Sequence, residues 1–371
     1  MRSDKIGVGI IGASGWGKTA HIPALQVLSE FEIIAVCTTR QKSAEEIAQS
    51  FGINHFYTNP YDLVANPDVD LVVITVKVPD HNELVRAALD AGKHVYCEWP
   101  LALNAAEASD IFRLATAKGV RHITGLQARA NPAINYVKDL LSEDYLGKVL
   151  SINVSYSMPG FPTKGSTIDQ AHAYLLDKKN GADQLTITTG HLLDGITYLM
   201  GSPFTKISAS LETQYKEISV METGEVIQAN APDYVAINGM LESGALLSGQ
   251  IRNSKIAGLS IEIVGTQGEI SMKSKDGLMF QWDAFNLQAV LGENQAFQSL
   301  SVPSHYYHIN PQEVNLISYN IAQLYTQFAN DLRKNTYTTP DFQTGCRLHY
   351  LLDQIIKSAE TGTVQYLTVE E

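Results

Sequence analysis

The stretch IGVGIIGASGWGKTAHIPAL, Ile6–Leu25, decides the fold of this chain. It begins with Ile6–Ile11, a short, uncharged run rich in β-branched residues, which is typical of a strand buried on both faces. A glycine-rich turn follows, and residues 19–28 then have the pattern of a helix. This order predicts a dinucleotide-binding unit, because glycines let the backbone approach a pyrophosphate and N–H groups at the helix start hold its charge.

The glycine turn departs from the usual fingerprint at one position. Counted from Gly12, the pattern is G-x-S-x-x-G, and Ser14 stands where the second glycine is expected. Counted through Gly15, the loop is one residue longer. We predict that Gly12, Ser14, Gly15, Trp16 and Gly17 bind phosphate. A tight strand-to-helix turn without a ligand is the alternative that the pattern alone leaves open.

The composition is that of an ordinary globular chain with an acidic balance. Its 371 residues are enough for two domains, with 44% apolar and 18% charged residues. The net charge of −12 argues against a nucleic-acid partner, and no apolar run reaches membrane-spanning length. Cys37, Cys97 and Cys346 lack metal-ligand spacing, so no metal is expected. We expect a cytoplasmic protein in which Cys37 and Cys97 are reduced core residues.

Strands and helices alternate through the first part of the chain. Apolar strands are predicted at 32–38, 71–76, 94–97 and 122–126, and the helices between them stop at glycines. Such alternation builds a parallel sheet covered by helices on both faces. Residues 1–125 are therefore predicted to form a doubly wound, parallel-sheet Rossmann domain of the α/β class.

The pattern changes after residue 126 to one dominated by strands. Period-two alternation predicts strands at 148–157, 206–214, 234–242, 245–252, 259–264 and 269–273. Helices are predicted at 184–200, 313–334 and 343–360, whereas 276–312 has no clear pattern. Residues 126–371 are thus predicted to form an α+β domain with an open, mainly antiparallel sheet. An apolar exposed face of that sheet should be covered by a second copy, giving a homodimer or a tetramer.

Further motifs follow in a fixed order. They are His21-Ile22-Pro23-Ala24-Leu25, Asn66-Pro67-Asp68-Val69-Asp70, Pro79-Asp80-His81, Gly92-Lys93-His94-Val95, Glu98-Trp99-Pro100-Leu101, Gln127-Ala128-Arg129, His191-Leu192-Leu193-Asp194 and Ser358-Ala359-Glu360-Thr361-Gly362. Together they extend over nearly the whole chain. In this ordered set the chain resembles the glucose–fructose oxidoreductase / inositol dehydrogenase (Gfo/Idh/MocA) family of two-domain NAD(P) enzymes.

Two positions depart from that family's pattern. The family signature Glu-Lys-Pro contains a lysine that helps to move the substrate hydroxyl proton, and Trp99 replaces it here. The family also tends to carry an aspartate four residues before its catalytic histidine, where this chain has Ile187. In both respects the chain is similar to the galactose-pathway-repressor branch, which binds the dinucleotide and is regarded as sensing rather than catalysing.

The end of the second predicted strand bears on the choice between NADP and NAD. NAD enzymes usually carry an acid there that hydrogen-bonds the ribose 2′-OH, whereas this chain has Thr38, Thr39 and Arg40, with Lys42 nearby. Because guanidinium groups match phosphate, NADP is favoured over NAD. A solvated turn, with the ribose held by backbone, is the alternative.

The resemblance extends the cofactor site beyond the glycine turn. The added cofactor contacts are Val76, Pro79, His81, Glu98, Trp99 and Gln127. It places His81 beside the cofactor ribose and Glu98 beside the nicotinamide ribose; a helix cap and a structural carboxylate are the respective alternatives. Trp99 has no titratable proton, so it can stack or fill space but cannot act as an acid or a base.

His191 is the predicted acid–base group of the second domain. Asp194 lies one turn further along the same predicted helix, where it could hold the imidazole in one tautomer. A satisfied core histidine is the alternative. The predicted substrate contacts are Arg129, Tyr174 and Asp194, with surface pairing or packing as the alternative for the first two. Lys178 and Lys179 could replace the missing amine or form a solvated pair.

These features predict an NAD(P)-dependent oxidoreductase that acts on a sugar or related polyol by hydride transfer. The alcohol must lose its proton as hydride leaves, so the site needs a base, and His191 is the residue in place. A non-catalytic regulator that senses dinucleotide and sugar is the first alternative, because Trp99 and Ile187 match the repressor branch. An NAD-assisted glycosidase is a further alternative.

Overall fold

The chain divides into two compact units. The structure is a computed structural model that describes residues 5–159, 161–277, 279–293 and 296–368. The first unit consists of Met1–Ala130 and Tyr307–Arg347, and the second of Asn131–Tyr306 and Leu348–Glu371. The boundary expected between residues 125 and 126 lies close to the first crossing, but the chain returns to the first unit after residue 306.

The first unit is built on a six-stranded parallel sheet. Its strands are β1 (Ile6–Ile11), β2 (Phe31–Cys37), β3 (His55–Tyr57), β4 (Leu71–Ile74), β5 (His94–Cys97) and β6 (His122–Thr124). Their order is β3-β2-β1-β4-β5-β6, and neighbouring strands are parallel. The predicted doubly wound domain is confirmed. The strand order reverses between β1 and β4, the point where ligands bind in sheets of this kind.

Helices connect the strands of this sheet. They are α1 (Ile22–Gln26), α2 (Gln41–Phe51), α3 (Pro60–Val64), α4 (His81–Asp90) and α5 (Ala105–Lys118). The segment predicted as one helix over 19–28 is instead a π-helical turn, Gly17–His21, followed by the short α1. All four residues of β4 are buried, as expected for a strand between two helical layers.

The second unit contains a nine-stranded mixed sheet and a three-stranded sheet. The strands are β7 (Val149–Met158), β8 (Thr167–Ile168), β9 (Phe204–Glu212), β10 (Glu217–Val220), β11 (Val226–Gln228), β12 (Tyr234–Leu241), β13 (Leu246–Asn253), β14 (Gly258–Gly265), β15 (Gly268–Ser274), β16 (Phe285–Leu291), β17 (Gln298–Leu300) and β18 (Gln365–Tyr366). The orders are β17-β16-β15-β14-β7-β13-β12-β9-β18 and β11-β10-β8. In the large sheet β7 and β13 are parallel, and the other described pairs are antiparallel. The predicted open, mainly antiparallel sheet is confirmed.

Some elements of the second unit escape pattern analysis. β16 and β17 lie within 276–312, which has no clear pattern, and β8, β10 and β11 are too short to show alternation. The helices of this part are α6 (Pro132–Ser142) and α7 (Gly190–Met200). A π-helical segment, Gln184–Thr189, leads directly into α7, so the predicted helix over 184–200 is present in two forms.

One face of the nine-stranded sheet is exposed along its central strands. The exposed positions of β13 are Leu246, Ser248, Gln250 and Arg252. The paired strands β7 and β14 add Asn153, Ser155 and Glu262 to the same face. The face expected to be apolar is therefore largely polar, because most of the Ile, Leu and Val side chains of these strands point into the core.

Two long helices close the chain. They are α8 (Leu316–Lys334), which lies in the first unit, and α9 (Phe342–Thr361). α8 packs against α1 and the π-helical turn, and it contributes Tyr325 and Phe328 to the buried core that also holds Leu25 and Phe31. Within the described ranges, no helix is both long enough and apolar enough to cross a membrane.

Candidate functional site

Gly12 forms the corner between β1 and the helical turn that follows. Its φ is +87°, in the left-handed region that favours glycine. A Cβ at this position would lie 2.8 Å from the carbonyl carbon of Thr75 and 2.9 Å from its oxygen. The N–H groups of Gly12 and Ala13 donate to the carbonyl oxygen of Cys37 at 3.0 and 3.1 Å. The corner is closed against the ends of β2 and β4, and only glycine fits it.

Gly17 completes the turn by packing against Gly12. Its Cβ would lie 2.9 Å from the Gly12 carbonyl oxygen and 2.9 Å from Thr75 Oγ1. Between them, Ser14 and Gly15 are exposed and Trp16 is half-buried. This geometry supports the count that runs from Gly12 through Ser14 to Gly17. Exposed backbone held between two tightly packed glycines, directly before a helical turn, fits a pyrophosphate.

The residues expected to select NADP lie between β2 and α2. Thr38 is buried, and its hydroxyl donates to the carbonyl oxygen of Arg40 at 3.0 Å. Thr39 and Arg40 are exposed, whereas the Lys42 ammonium lies 3.8 Å from Glu46 in a weak surface pair. Thr38 therefore shapes the turn, and Arg40 is the cation presented at the end of β2.

His81 begins α4 and joins two segments of backbone. Its Nδ1 lies 2.9 Å from the carbonyl oxygen of Pro100, and its Nε2 lies 3.1 Å from that of Val76. Burial lowers the pKa of His81, so the ring is neutral at pH 7. A neutral ring carries one N–H, so His81 donates to one of these two carbonyl oxygens and lies between the segments that follow β4 and β5. The exposed Pro79 lies in the short turn just before it.

Glu98 directly follows β5 at the carboxyl edge of the parallel sheet. Its Oε1 lies 3.0 Å from His21 Nε2, and its side chain is 11% exposed. A Cβ on Gly125 would lie 2.7 Å from Oε1, so the glycine makes room for the carboxylate. Trp99 is buried beside it. Glu98 is therefore the titratable group that the Glu98-Trp99-Pro100 segment supplies.

His21 connects Glu98 to α8. It is fully buried, and its Nδ1 lies 2.7 Å from the Tyr325 hydroxyl oxygen. The Tyr96 ring packs edge-on against His21 at a centroid distance of 5.2 Å. Burial, reinforced by the charge of Glu98, raises the pKa of Tyr96 and of Tyr325 well above the usual value. Both phenols therefore keep their protons, and Tyr325, His21 and Glu98 form a continuous hydrogen-bonded chain.

The roles of His21 and Tyr325 were not predicted from the sequence. His21 was identified only as part of an ordered motif, and Tyr325 lies 304 residues further along the chain. The one local signal is the position of His21 at the end of the helical turn that starts from the glycine loop. A histidine placed there can reach the carboxyl ends of neighbouring strands, but its partner on α8 requires the tertiary fold.

Gln127 and Arg129 follow β6 on a short turn, Gln127–Ala130. Gln127 is 1% exposed, and among the described residues its Oε1 has no hydrogen-bond partner. Leaving such a buried acceptor unpaired costs about 1–3 kcal/mol, so a donor from a ligand or water is expected there. Arg129 is half-buried. It belongs to the first unit, whereas Tyr174, His191 and Asp194 belong to the second.

His191 lies on α7, where it is 2% exposed. Burial lowers its pKa to about 3. In the described part of the chain, the buried Nδ1 has no hydrogen-bond partner, so Asp194 does not orient the ring through that nitrogen as expected. The imidazole is therefore neutral at pH 7 and a weaker base than an ordinary histidine, whose pKa is near 6.5.

The remaining predicted residues of the second unit lie on or before α7. Asp194 is buried on this helix. Tyr174 is half-buried in the turn Ala173–Leu176, and burial raises its pKa. Lys178 and Lys179 are exposed, which matches the solvated pair rather than a replacement for the missing amine.

Two family models match consecutive parts of the chain. The oxidoreductase family with an NAD-binding Rossmann fold matches residues 6–126. The C-terminal domain of Gal80p matches residues 132–274. The first match contains the glycine turn and Glu98, and the second contains His191.

Curated relatives include both an enzyme and a regulator. The dehydrogenase aclE of Aspergillus oryzae is 32% identical over 252 residues, which cover 64% of this chain and 68% of that protein. The galactose/lactose metabolism regulatory protein GAL80 of Saccharomyces cerevisiae is 26% identical over 290 residues, covering 73% of this chain and 66% of that protein. The chain thus spans about two thirds of the length of these relatives.

The fold is also found in solved structures. Levoglucosan dehydrogenase, in complex with NADH and L-sorbose, superposes with a TM-score of 0.84 at 22% identity, covering 98% of this chain and 99% of that one. At this identity the likeness supports only the assignment of the fold. The parallel sheet, the matching family model and the similarity to aclE show that the chain belongs to the Gfo/Idh/MocA oxidoreductase family with an NAD-binding Rossmann fold.

Proposed function

We propose that the protein is an NAD(P)-dependent oxidoreductase that acts on a sugar or a related polyol. The observation that carries the proposal is the closed turn from Gly12 to Gly17, where a Cβ at either end would meet backbone at less than 3 Å. In a chain of this family, such a turn supports the pyrophosphate of a dinucleotide. The substrate class is supported by a curated relative, the glucose-6-phosphate 3-dehydrogenase of Bacillus subtilis, which is 30% identical over 272 residues covering 73% of that protein.

The residues of the first unit fit the two ends of a dinucleotide. Gly12, Ser14 and Gly17 would hold the pyrophosphate. The unpaired Gln127 Oε1 and the partly exposed Glu98 carboxylate would accept hydrogen bonds from hydroxyl or amide groups of the nicotinamide half. The bound nicotinamide supplies the hydride acceptor. Trp99, which is buried, fills space beside Glu98 and has no titratable proton.

We assign proton transfer to His191. A neutral imidazole is the form that accepts a proton from an alcohol, and His191 is neutral at pH 7. The burial that lowers its pKa also disfavours the imidazolium that would form. Turnover is therefore expected to be slow compared with family members that retain the lysine replaced here by Trp99.

A thermal-shift screen of sugars and polyols in the presence of NADP tests this proposal. A ligand that binds the folded state raises Tm by an amount that grows with its concentration relative to its Kd, so the substrate class should stand out from unrelated small molecules. The dinucleotide alone provides the baseline. If NADP stabilises the protein and no polyol adds to the effect, the cofactor assignment stands and the substrate class is wrong.

For the cofactor we propose a preference for NADP over NAD. Arg40 is exposed at the end of β2, where no acid is present to bind a ribose 2′-OH. Arg40→Ala is expected to weaken NADP binding about tenfold by removing a charge-assisted contact to the 2′-phosphate, while NAD affinity stays unchanged. Calorimetric titration with both dinucleotides measures this, and Lys42→Ala is the matched control because that ammonium pairs with Glu46. Tenfold tighter binding of NAD by wild type would contradict the preference.

A second candidate function is a regulator that binds dinucleotide and sugar without turnover. Trp99 in place of the family lysine supports it, as does the match of residues 132–274 to the Gal80p C-terminal domain. Such a regulator would use the same ligands to shift its affinity for a partner protein. Absence of hydride transfer despite binding of both ligands distinguishes it from the enzyme.

We further propose that the chain forms a homodimer or tetramer through the exposed face of the nine-stranded sheet. Leu246, which is 55% exposed, lies on the central strand β13 and adds an apolar side chain to that face. Light scattering at micromolar concentration reports the mass directly. A monomer would contradict this assembly.

A further inference from the structure

The hydrogen-bonded chain from Tyr325 through His21 to Glu98 ends at the carboxyl edge of the parallel sheet. The two distances are 2.7 Å from Tyr325 Oη to His21 Nδ1 and 3.0 Å from His21 Nε2 to Glu98 Oε1. Tyr325 and His21 are fully buried, whereas the Glu98 side chain keeps 11% of its surface exposed. The exposed end of the chain is therefore the carboxylate.

The strand order places Glu98 on one particular half of a dinucleotide. In a doubly wound sheet the pyrophosphate crosses at the strand-order reversal, and the adenosine ribose lies toward the strand that follows the first helix, which is β2 here. The other half of the molecule then lies over β4 and β5. Glu98 directly follows β5, so it lies on the nicotinamide half.

Hydrogen-bond pairing fixes where the protons of this chain lie. A carboxylate accepts, so His21 Nε2 carries a proton and donates to Glu98. His21 Nδ1 then accepts from the Tyr325 hydroxyl. If Nδ1 instead carried a proton, the fully buried Tyr325 hydroxyl would keep a hydrogen with no acceptor among the described residues, at a cost of a lost hydrogen bond. The arrangement that satisfies every group has the Tyr325 hydroxyl donating to His21 Nδ1 and His21 Nε2 donating to Glu98.

Among the described residues, no lysine or arginine balances the negative charge of Glu98. In the described part of the chain, His21 is the sole ion-pair partner within reach of its carboxylate. The same charge contributes to the raised pKa of the neighbouring Tyr96 and Tyr325 phenols, after burial itself. Gly125 on one side and His21 on the other keep the carboxylate in one place.

We propose that Glu98, held as a fixed anion by His21 and Tyr325, makes the protein select the oxidised dinucleotide over the reduced one. The oxidised nicotinamide ring carries a positive charge that the reduced ring lacks, and the rest of the molecule is the same. A fixed anion on the nicotinamide half attracts the oxidised form alone. His21 and Tyr325 act here as positioning residues. This inference rests on the dinucleotide binding of the proposed function and adds a redox preference to it.

Calorimetric titration of the full-length protein with NADP⁺ and NADPH, and with NAD⁺ and NADH, tests the inference without any turnover. We expect wild type to bind the oxidised form of each pair about tenfold more tightly than the reduced form, as one partly screened charge pair allows. Glu98→Gln keeps the shape of the side chain and removes its charge. The ratio of the affinity for the oxidised form to that for the reduced form should therefore fall to about one, mainly through weaker binding of the oxidised form.

Two substitutions of His21 separate positioning from mere packing. His21→Ala removes the donor that fixes the carboxylate, and the ratio should fall about threefold. His21→Gln instead supplies a neutral N–H donor at the same position, so this variant should keep the wild-type ratio. A structural role alone would change the affinities for both redox forms equally and leave their ratio constant. Thermal melts without ligand check that each variant is folded, and either His21 variant serves if Glu98→Gln does not fold.

The outcomes are distinct. Tight binding with a ratio near one or in favour of the reduced form overturns the inference and leaves the proposed cofactor binding intact. A ratio that rises about tenfold in His21→Gln overturns it as well, since His21 would then have been a cation in wild type. Failure of wild type to bind any of the four dinucleotides overturns both this inference and the proposed function.

Discussion

A Gly12→Ala variant is expected to lose dinucleotide binding and to unfold more easily than wild type. The new Cβ would lie within 2.9 Å of the Thr75 carbonyl group, at a φ of +87° that alanine rarely adopts. Strain at such a φ and overpacking against backbone each cost about 1–3 kcal/mol, so we expect a loss of roughly 2–6 kcal/mol in the free energy of unfolding. Because relief of the clash moves the turn, affinity for NADP should fall at least about a hundredfold, which calorimetry and denaturant titration measure.

Gly52→Ala is the matched control for this experiment. Gly52 also has a positive φ, +67°, but the position of its Cβ is open. The control should lose only about 1–2 kcal/mol and bind the dinucleotide like wild type. Equal stability and equal affinity of the two variants would contradict the role given to the Gly12 corner.

The second large effect is a dependence of stability on pH that His191 confers. Its pKa is about 3 in the folded protein, below the 6.5 of an ordinary histidine. Between these values the unfolded chain binds a proton that the folded protein does not. The contribution of His191 to the free energy of unfolding is therefore fully present above pH 6.5 and is lost as the pH falls toward 3. At pH 4.5 this loss is on the order of 2–3 kcal/mol relative to pH 7.

His191→Gln isolates this contribution. Asp183, which caps the segment before α7, has its pKa raised to about 6 by burial, so its own contribution increases stability as the pH falls. The difference in unfolding free energy between wild type and His191→Gln cancels that effect. Denaturant titrations from pH 7 to pH 4.5 should show wild type losing stability relative to the variant. A difference that stays constant across this range would mean that His191 is not held neutral by burial.

The cofactor unit could be predicted from sequence because its signals are local. The run Ile6–Ile11, the glycine turn and the regular strand–helix alternation each occupy a few consecutive residues, and each was confirmed as an element of the fold. Gly12 and Gly17 could be identified for the same reason. The sequence left open whether the second fingerprint position is Ser14 or Gly15. The contact between Gly12 and Gly17 in the structure was needed to choose Ser14.

Features that depend on tertiary packing could not be predicted in this way. The pairing of His21 with Tyr325 joins residues 304 positions apart, and the low pKa of His191 follows from burial that a helix pattern does not reveal. The polar exposed face of β13 has the same origin. Alternation shows that one face of a strand is apolar, but the packing of the neighbouring layer decides which side chains are buried. In β13 that packing buries Leu247 and Ile251 and exposes mostly polar side chains.

The most direct test of the proposed function is stopped-flow absorbance of the nicotinamide, with NADPH and a panel of ketoses. We expect wild type to oxidise NADPH with at least one ketose, and His191→Ala to be slower by at least about a hundredfold, as for loss of a general acid–base group. His172→Ala, at an exposed histidine that pairs with Asp169, should retain the wild-type rate. If NADPH binds and no ketose changes its absorbance, the oxidoreductase assignment is wrong and the regulator takes its place.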